Sequence, residues 1–184
     1  MKRILLISMI FVSVMSSAQS LFTLIPSGFM ATADTTKDFV VIPFEGKTQK
    51  QLYDIFLSKI TTLYVSAKDV VSKVEDNTIN IHAYTSKAVS FSSSYYYTLS
   101  YNISFLFKDG KVRVNAMLIN YMRAFAGTSN EKNLYLCGNG GSSWFGTQYI
   151  FNKKGELKNK KAKAELETYF DALINNISKQ DAGW

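Results

Sequence analysis

The chain has 184 residues, with 21 Lys and Arg against 14 Asp and Glu, one His and one Cys. That length supports one domain with a sizeable core. A single cysteine excludes an internal disulfide, and one His beside one Cys excludes the usual zinc ligand sets; the basic balance points toward anionic surfaces or polymers.

The first residues set the route. Lys2-Arg3 is a basic start, Ile4 to Met15 is an apolar run, and Ser16-Ser17-Ala18 supplies small residues before Gln19. This is the pattern of a secretory signal peptide, and the run is too short to span a bilayer. No Cys follows it, which argues against a lipid anchor. Without residues 1–18 the 21 basic residues fall to 19 against 14 acidic, a net of +5 on 166 residues. The expectation is a protein in the periplasm of a Gram-negative bacterium or outside it, with no membrane span. Its partner is then an unknown protein or an anionic surface or polymer of the cell envelope, and not nucleic acid.

Residues 19–37 show no clean period and read as an irregular N-terminal arm; residues 38–184 read as a single domain. Phe39 to Pro43 is a short apolar strand stopped by Pro43 and Gly46. Thr48 with Gln51 three residues on is a capping box. Leu52, Ile55, Phe56, Ile60 and Leu63 then recur at helical spacing, predicting a helix that ends near Leu63 to Val65. Val70 to Tyr84 reads as a hairpin turning at Asp76-Asn77. That register pairs Val74 with Ile79 and sends Asn80, His82 and Tyr84 to the other face.

The strongest pattern lies between Tyr95 and Arg123. Tyr95, Tyr97, Leu99, Tyr101, Ile103, Phe105 and Phe107 alternate with Thr98, Ser100, Asn102 and Ser104, the mark of a strand with one buried face. Asp109-Gly110 suits a two-residue turn. The turn pairs Lys108 with Lys111, Phe107 with Val112, Phe105 with Val114, Ile103 with Ala116 and Tyr101 with Leu118. The opposite face then carries Thr98, Ser100, Asn102, Asn115, Met117, Ile119 and Tyr121. Residues 126–151 read as a long loop or insert, with a short apolar run at Leu134-Tyr135-Leu136 and an aromatic stretch from Trp144 to Phe151 that suits an extra strand. A last helix from about Lys161 has Leu166, Tyr169, Phe170, Leu173, Ile174 and Ile177 on one side. The order predicts an α+β domain of two layers, β-α-β-β-β-β-α, an antiparallel sheet with two helices on one face.

This arrangement resembles the exported bacterial domain-of-unknown-function family 4468, described as having a TBP-like fold. The residues that carry the resemblance are Val40-Val41, the helix start from Lys47 to Tyr53, and the Val70–Ile81 hairpin around Glu75-Asp76-Asn77. They continue through Tyr97–Phe107, Lys108-Asp109-Gly110-Lys111 and Val112–Val114. The resemblance spans about residues 38–123 and implies the TBP-like fold, with no catalytic signature, cofactor or metal. A fold analogy to a DNA-binding protein carries fold alone.

Chemistry is sparse. His82 has only Asn80 and Tyr84 beside it on its strand face, which reads as a surface histidine. Cys137 before Gly138-Asn139-Gly140-Gly141 lacks a thiol-hydrolase signature, and the glycines lack the Lys-Ser/Thr of a phosphate loop. Glu75 and Asp76 at a turn, and Glu165, Glu167 and Asp171 on a helix, make no convincing acid pair. No enzyme is expected. Two surfaces remain. One is the open sheet face, with His82, Tyr84, Tyr96, Thr98, Asn102, Met117, Ile119, Tyr121 and Arg123 as the binding residues, unless the arm or the 126–151 segment covers it. The other is Lys153, Lys154, Lys158, Lys160, Lys161 and Lys163 around the start of the last helix, where cations oppose the helix dipole. The expectation is an exported, non-catalytic binding or interaction module. The alternatives are a carrier of a small apolar ligand between sheet and last helix, lined by Tyr97, Tyr101, Phe105, Phe107, Tyr169 and Phe170, and, third, an unrecognised hydrolase.

Overall fold

The computed structural model describes residues 20–64, 66–91, 95–139 and 147–179; the expected signal peptide lies outside them. The chain begins with a hairpin of β1 (Phe22–Ile25) and β2 (Gly28–Ala31), then β3 (Phe39–Pro43) and α1 (Gln49–Leu63). A four-residue helix α2 (Ala67–Val70) leads into β4 (Val71–Val74), β5 (Thr78–Ser90) and β6 (Tyr96–Lys108). The remainder is β7 (Lys111–Asn115), β8 (Leu118–Ala124), β9 (Lys132–Gly138), β10 (Thr147–Asn152) and α3 (Lys160–Ser178).

β6 is the spine of an eight-stranded sheet. Its odd residues Tyr97 to Phe107 are buried and its even ones from Thr98 to Lys108 face outward. β5 and then β4 fill one edge; β7 and β8 share the other, with β3 outside β7 and then β9 and β10 outside β8. The Asp109-Gly110 turn sets the expected register, Lys108 opposite Lys111, Phe107 opposite Val112 and Phe105 opposite Val114. Gly110 adopts a φ of 72°, as such a turn requires.

Past Asn115 that register does not continue. Asn102 faces Leu118 and Tyr101 faces Ile119, then Ser100 faces Tyr121 and Leu99 faces Met122. One residue is inserted before Leu118 and a second at Asn120, each acting as a β-bulge that turns the following side chains over. Met117 is therefore buried, at 4% exposure, and Leu118 stands outside at 62%, the reverse of the uninterrupted alternation. The small hairpin differs for a similar reason. Its loop has three residues, with Asp76 at a φ of 55°, so Val74 faces Thr78 on the outer side and Lys73 faces Ile79.

Both long helices lie on the wall formed by the odd residues of β6. Thr48 and Gln51 make the capping box of α1, and Leu52, Tyr53, Phe56 and Ile60 are its buried stripe. Phe56 meets Phe44, Phe105 and Phe107 edge to face. α3 buries Ala162, Leu166, Phe170, Ile174 and Ile177, and Phe170 meets Tyr101 with ring centroids 5.0 Å apart.

Two stretches are more ordered than their composition suggests. The segment read as an irregular arm is the β1–β2 hairpin, which extends the helical layer instead of crossing the open face. Phe29 packs edge to face on Phe170, and Glu167 of α3 accepts from Leu24 N at 2.8 Å and Thr23 Oγ1 at 3.0 Å. The segment read as a loop contributes β9 and β10, which pair in parallel at the end of an otherwise antiparallel sheet. The apolar run Leu134-Tyr135-Leu136 lies within β9, and β10 takes up the end of the aromatic stretch from Thr147 on.

Candidate binding face

The outer wall of the sheet is defined by residues that pair with the even positions of β6. Across its middle run His82, Asn102 and Leu118, then Tyr84, Ser100 and Tyr121, then Thr98, Arg123 and Asn133. Toward the Asp109-Gly110 turn come Thr78, Leu106, Arg113 and Val41. No described element packs on this wall. Residues 126–139 and 147–151 join it or its edge instead of lying over it; residues 140–146 are outside the described set.

A chain of polar side chains crosses three strands at its centre. His82 Nδ1 makes a short contact with Asn102 Oδ1. Asn102 Nδ2 donates to Asn120 Oδ1 at 3.3 Å, and Asn120 Nδ2 donates to Ser100 Oγ at 3.3 Å. Ser100 is only 2% exposed, so its bond to Asn120 satisfies a hydroxyl that water barely reaches. The bulge at Asn120 makes this chain possible. In the uninterrupted register Asn120 would face Leu99 on the core side, an unsatisfiable place for an amide. That mismatch was the signal of the slip in the sequence.

The wall is also aromatic and basic. Tyr84 is 67% exposed, and Tyr121 and Tyr135 are exposed. Arg123 lies 4.9 Å from the Tyr121 ring centre and Arg113 lies 3.8 Å from that of Phe39. The outward strand positions carry the cations Lys108, Lys111, Arg113 and Arg123 and no carboxylate. Glu131, in the turn before β9, sits at the rim. The N–H of Gly127 and the side chain of Asn133 hold its carboxyl below the usual range, helped by the charge of Arg123.

Of the residues anticipated for this face, His82, Tyr84, Thr98, Asn102, Tyr121 and Arg123 are on it. Met117 and Ile119 are not. The first slip turns both toward the helices, Met117 into the core and Ile119 against it. Tyr96 is displaced too: beyond the irregularity between Thr85 and Val89 it lines a shallow depression with Lys87, Ala88 and residues of α3. Leu118, Asn120, Tyr135, Lys108, Lys111 and Arg113 also belong to the wall; the slips hide the first two from an uninterrupted alternation. The two lysines were visible as a like-charged pair across the turn.

Half of the lysine run at α3 is engaged at home. Lys158 pairs with Glu156 at 2.9 Å and Lys161 with Glu165 at 3.8 Å, while Lys163 contacts Glu167 closely and donates to Thr23 Oγ1. The i, i+4 carboxylates offset the dipole cost, and Asn159 caps the helix by accepting from Ala162 N at 2.9 Å. Lys153, Lys154 and Lys160 remain exposed.

The acids of α3 have structural work. Glu165 accepts from Ser90 N and Oγ, Glu167 holds the N-terminal hairpin, and Asp171 accepts from Leu21 N at 3.3 Å. His82 on β5 and Cys137 on β9 are separated by β6 and β8, three strand spacings or roughly 14 Å. The Cys137 thiol donates to the Asn152 carbonyl at 3.1 Å. Among the described residues no cluster of His, Cys, Asp and Glu has the arrangement of a metal site.

The aromatic residues that a carrier needs as a pocket lining pack on one another. Tyr101 O–H lies 3.0 Å from the hydroxyls of Tyr64 and Tyr169, and burial pushes its ionisation far upward. Tyr53, Phe107, Phe105, Tyr169 and Phe170 complete ring contacts between sheet and helices. Among the described residues these rings touch one another where the carrier reading places its ligand.

The fold is thus a mixed α+β sheet protein of the TBP-like kind, with helices on one wall and an open wall opposite. Residues 39–122 match the family described as "Domain of unknown function (DUF4468) with TBP-like fold". A TBP-like protein from Parabacteroides distasonis is similar in structure, with a TM-score of 0.55 at 12% identity over 76% of this chain and 87% of that one. A DUF4468 family protein from Bacteroides ovatus aligns with a TM-score of 0.47 at 17% identity over 79% of this chain and 88% of that one. No curated protein matches the chain. Among the described residues no helix is long and apolar enough to cross a membrane.

Proposed function

We propose that this chain is an exported binding module, without catalytic activity, that holds an anionic partner of the cell envelope on the outer wall of its sheet. The observation that carries the reading is the charge of that wall: Lys108, Lys111, Arg113 and Arg123 stand at outward strand positions where no Asp or Glu stands. Exposed Tyr84, Tyr121 and Tyr135 add flat apolar area beside amide donors, a composition suited to recognition. The basic start and apolar run at residues 2–15 support export.

The test uses polyglutamate and the mature chain. Binding is expected at low salt and should weaken steeply as salt rises, because exposed charges are screened within roughly 10 Å at 0.1 M. Arg123→Gln should weaken it by a factor of about 2–5, the worth of one exposed ion pair. Binding that ignores salt, or that survives loss of all four wall cations, would remove the reading.

A further inference from the structure

Within that reading, on which this inference rests, one end of the wall has a more specific design. Lys108 and Lys111 face each other directly across the turn, an arrangement that costs stability because like charges are opposed. Arg113 stands beside them, its guanidinium 3.8 Å from the Phe39 ring centre and its Nε donating to Asn115 Oδ1 at 2.8 Å. Among the described residues no carboxylate comes within ion-pair distance of any of the three. The one acid in the turn, Asp109, points away and accepts from Gln49 N at 2.7 Å, where it caps α1. The three cations rim a depression of about 330 Å³ whose floor is Phe39, Val41 and Leu106, with Val41 50% exposed.

An uncompensated cationic rim over an apolar floor matches a ligand with the complementary division. We infer that this depression is a binding site for an anionic amphiphile, a single carboxylate or phosphate on an apolar chain. The acid group sits among Lys108, Lys111 and Arg113 and the first part of the chain lies on Val41 and Leu106. Arg113 is held flat by Phe39 and Asn115, so its remaining N–H groups are fixed for a planar or tetrahedral anion. A depression of about 330 Å³ suits a chain or ring.

The experiment titrates the mature chain by calorimetry with dodecanoate and with dodecyl phosphate below their micellar concentrations, with dodecanol as the uncharged control. A parallel arm sediments the protein with phosphatidylglycerol or phosphatidylcholine vesicles. Binding of the free acids, of the anionic vesicles only, or of both supports the site, and the arms tell a soluble ligand from a membrane surface. The variant Lys108→Ser/Lys111→Ser/Arg113→Gln should weaken binding by roughly tenfold or more. Val41→Glu, which leaves the cations in place, should do likewise by neutralising the rim and charging the floor. Lys153→Ser/Lys154→Ser should bind as the parent does. Failure of both acids and both vesicle types to bind, or equal binding by the parent, the triple rim variant and Val41→Glu, overturns the inference. If polyglutamate still binds in that event, the broader reading of the wall stands alone.

Discussion

Phe56 shows how much of this fold hangs on single side chains. It is fully buried and touches the rings of Phe44, Phe105 and Phe107, linking α1 to β6 and to the residue that follows β3. Phe56→Ala removes those contacts and leaves a cavity, so it should cost about 3–5 kcal/mol, measured by denaturant unfolding. Asp34 makes a different prediction. Its carboxylate pairs with Lys37 at 2.8 Å and accepts from the Thr36 hydroxyl and N–H at 2.6 and 3.1 Å. These bonds, with Lys37 the largest influence, hold its pKa at about 2 instead of 3.8. A carboxyl held down in the folded state stabilises it above pH 3.8, and that contribution disappears as pH falls through about 2. Side-chain NMR titration should place the midpoint near 2, and Asp34→Asn should flatten the acid limb of stability in that window.

At the scale of elements, the sequence spoke clearly where one periodicity ran without interruption. Thr48 and Gln51 cap α1 as their spacing implied, and Lys108-Asp109-Gly110-Lys111 closes the hairpin in the register its turn chemistry demands. The candidate face was legible on β5 and β6 for the same reason. It failed on β8, because two inserted residues change which side chains point outward while leaving the local composition unchanged. The amide of Asn120 at a supposed core position was the sole hint. Short strands such as Phe22–Ile25 were illegible for a different reason: four residues give too little alternation, and their order comes from packing on Phe170 and from Glu167 of α3. The slip itself is testable. Met117→Lys buries a charge and should lower stability by several kcal/mol. Leu118→Lys lies on the exposed side and should change stability by no more than about 0.5 kcal/mol. An uninterrupted ladder would reverse the two results in thermal or chemical unfolding.

For the whole molecule, the decisive feature is asymmetry. α1, α3 and the β1–β2 hairpin crowd one wall of the sheet, and their apolar residues join a single core. The described residues leave the other wall uncovered and give its strand positions four cations without an acid. The six lysines near α3, by contrast, are partly matched by Glu156, Glu165 and Glu167. Amide mapping separates these two basic regions directly. With ¹⁵N-labelled mature chain titrated with polyglutamate at low salt, the largest shifts should fall on Asn102, Arg113, Leu118, Tyr121 and Arg123. Shifts confined to Lys153, Lys154 and Lys160, or spread evenly over the surface, would contradict the account.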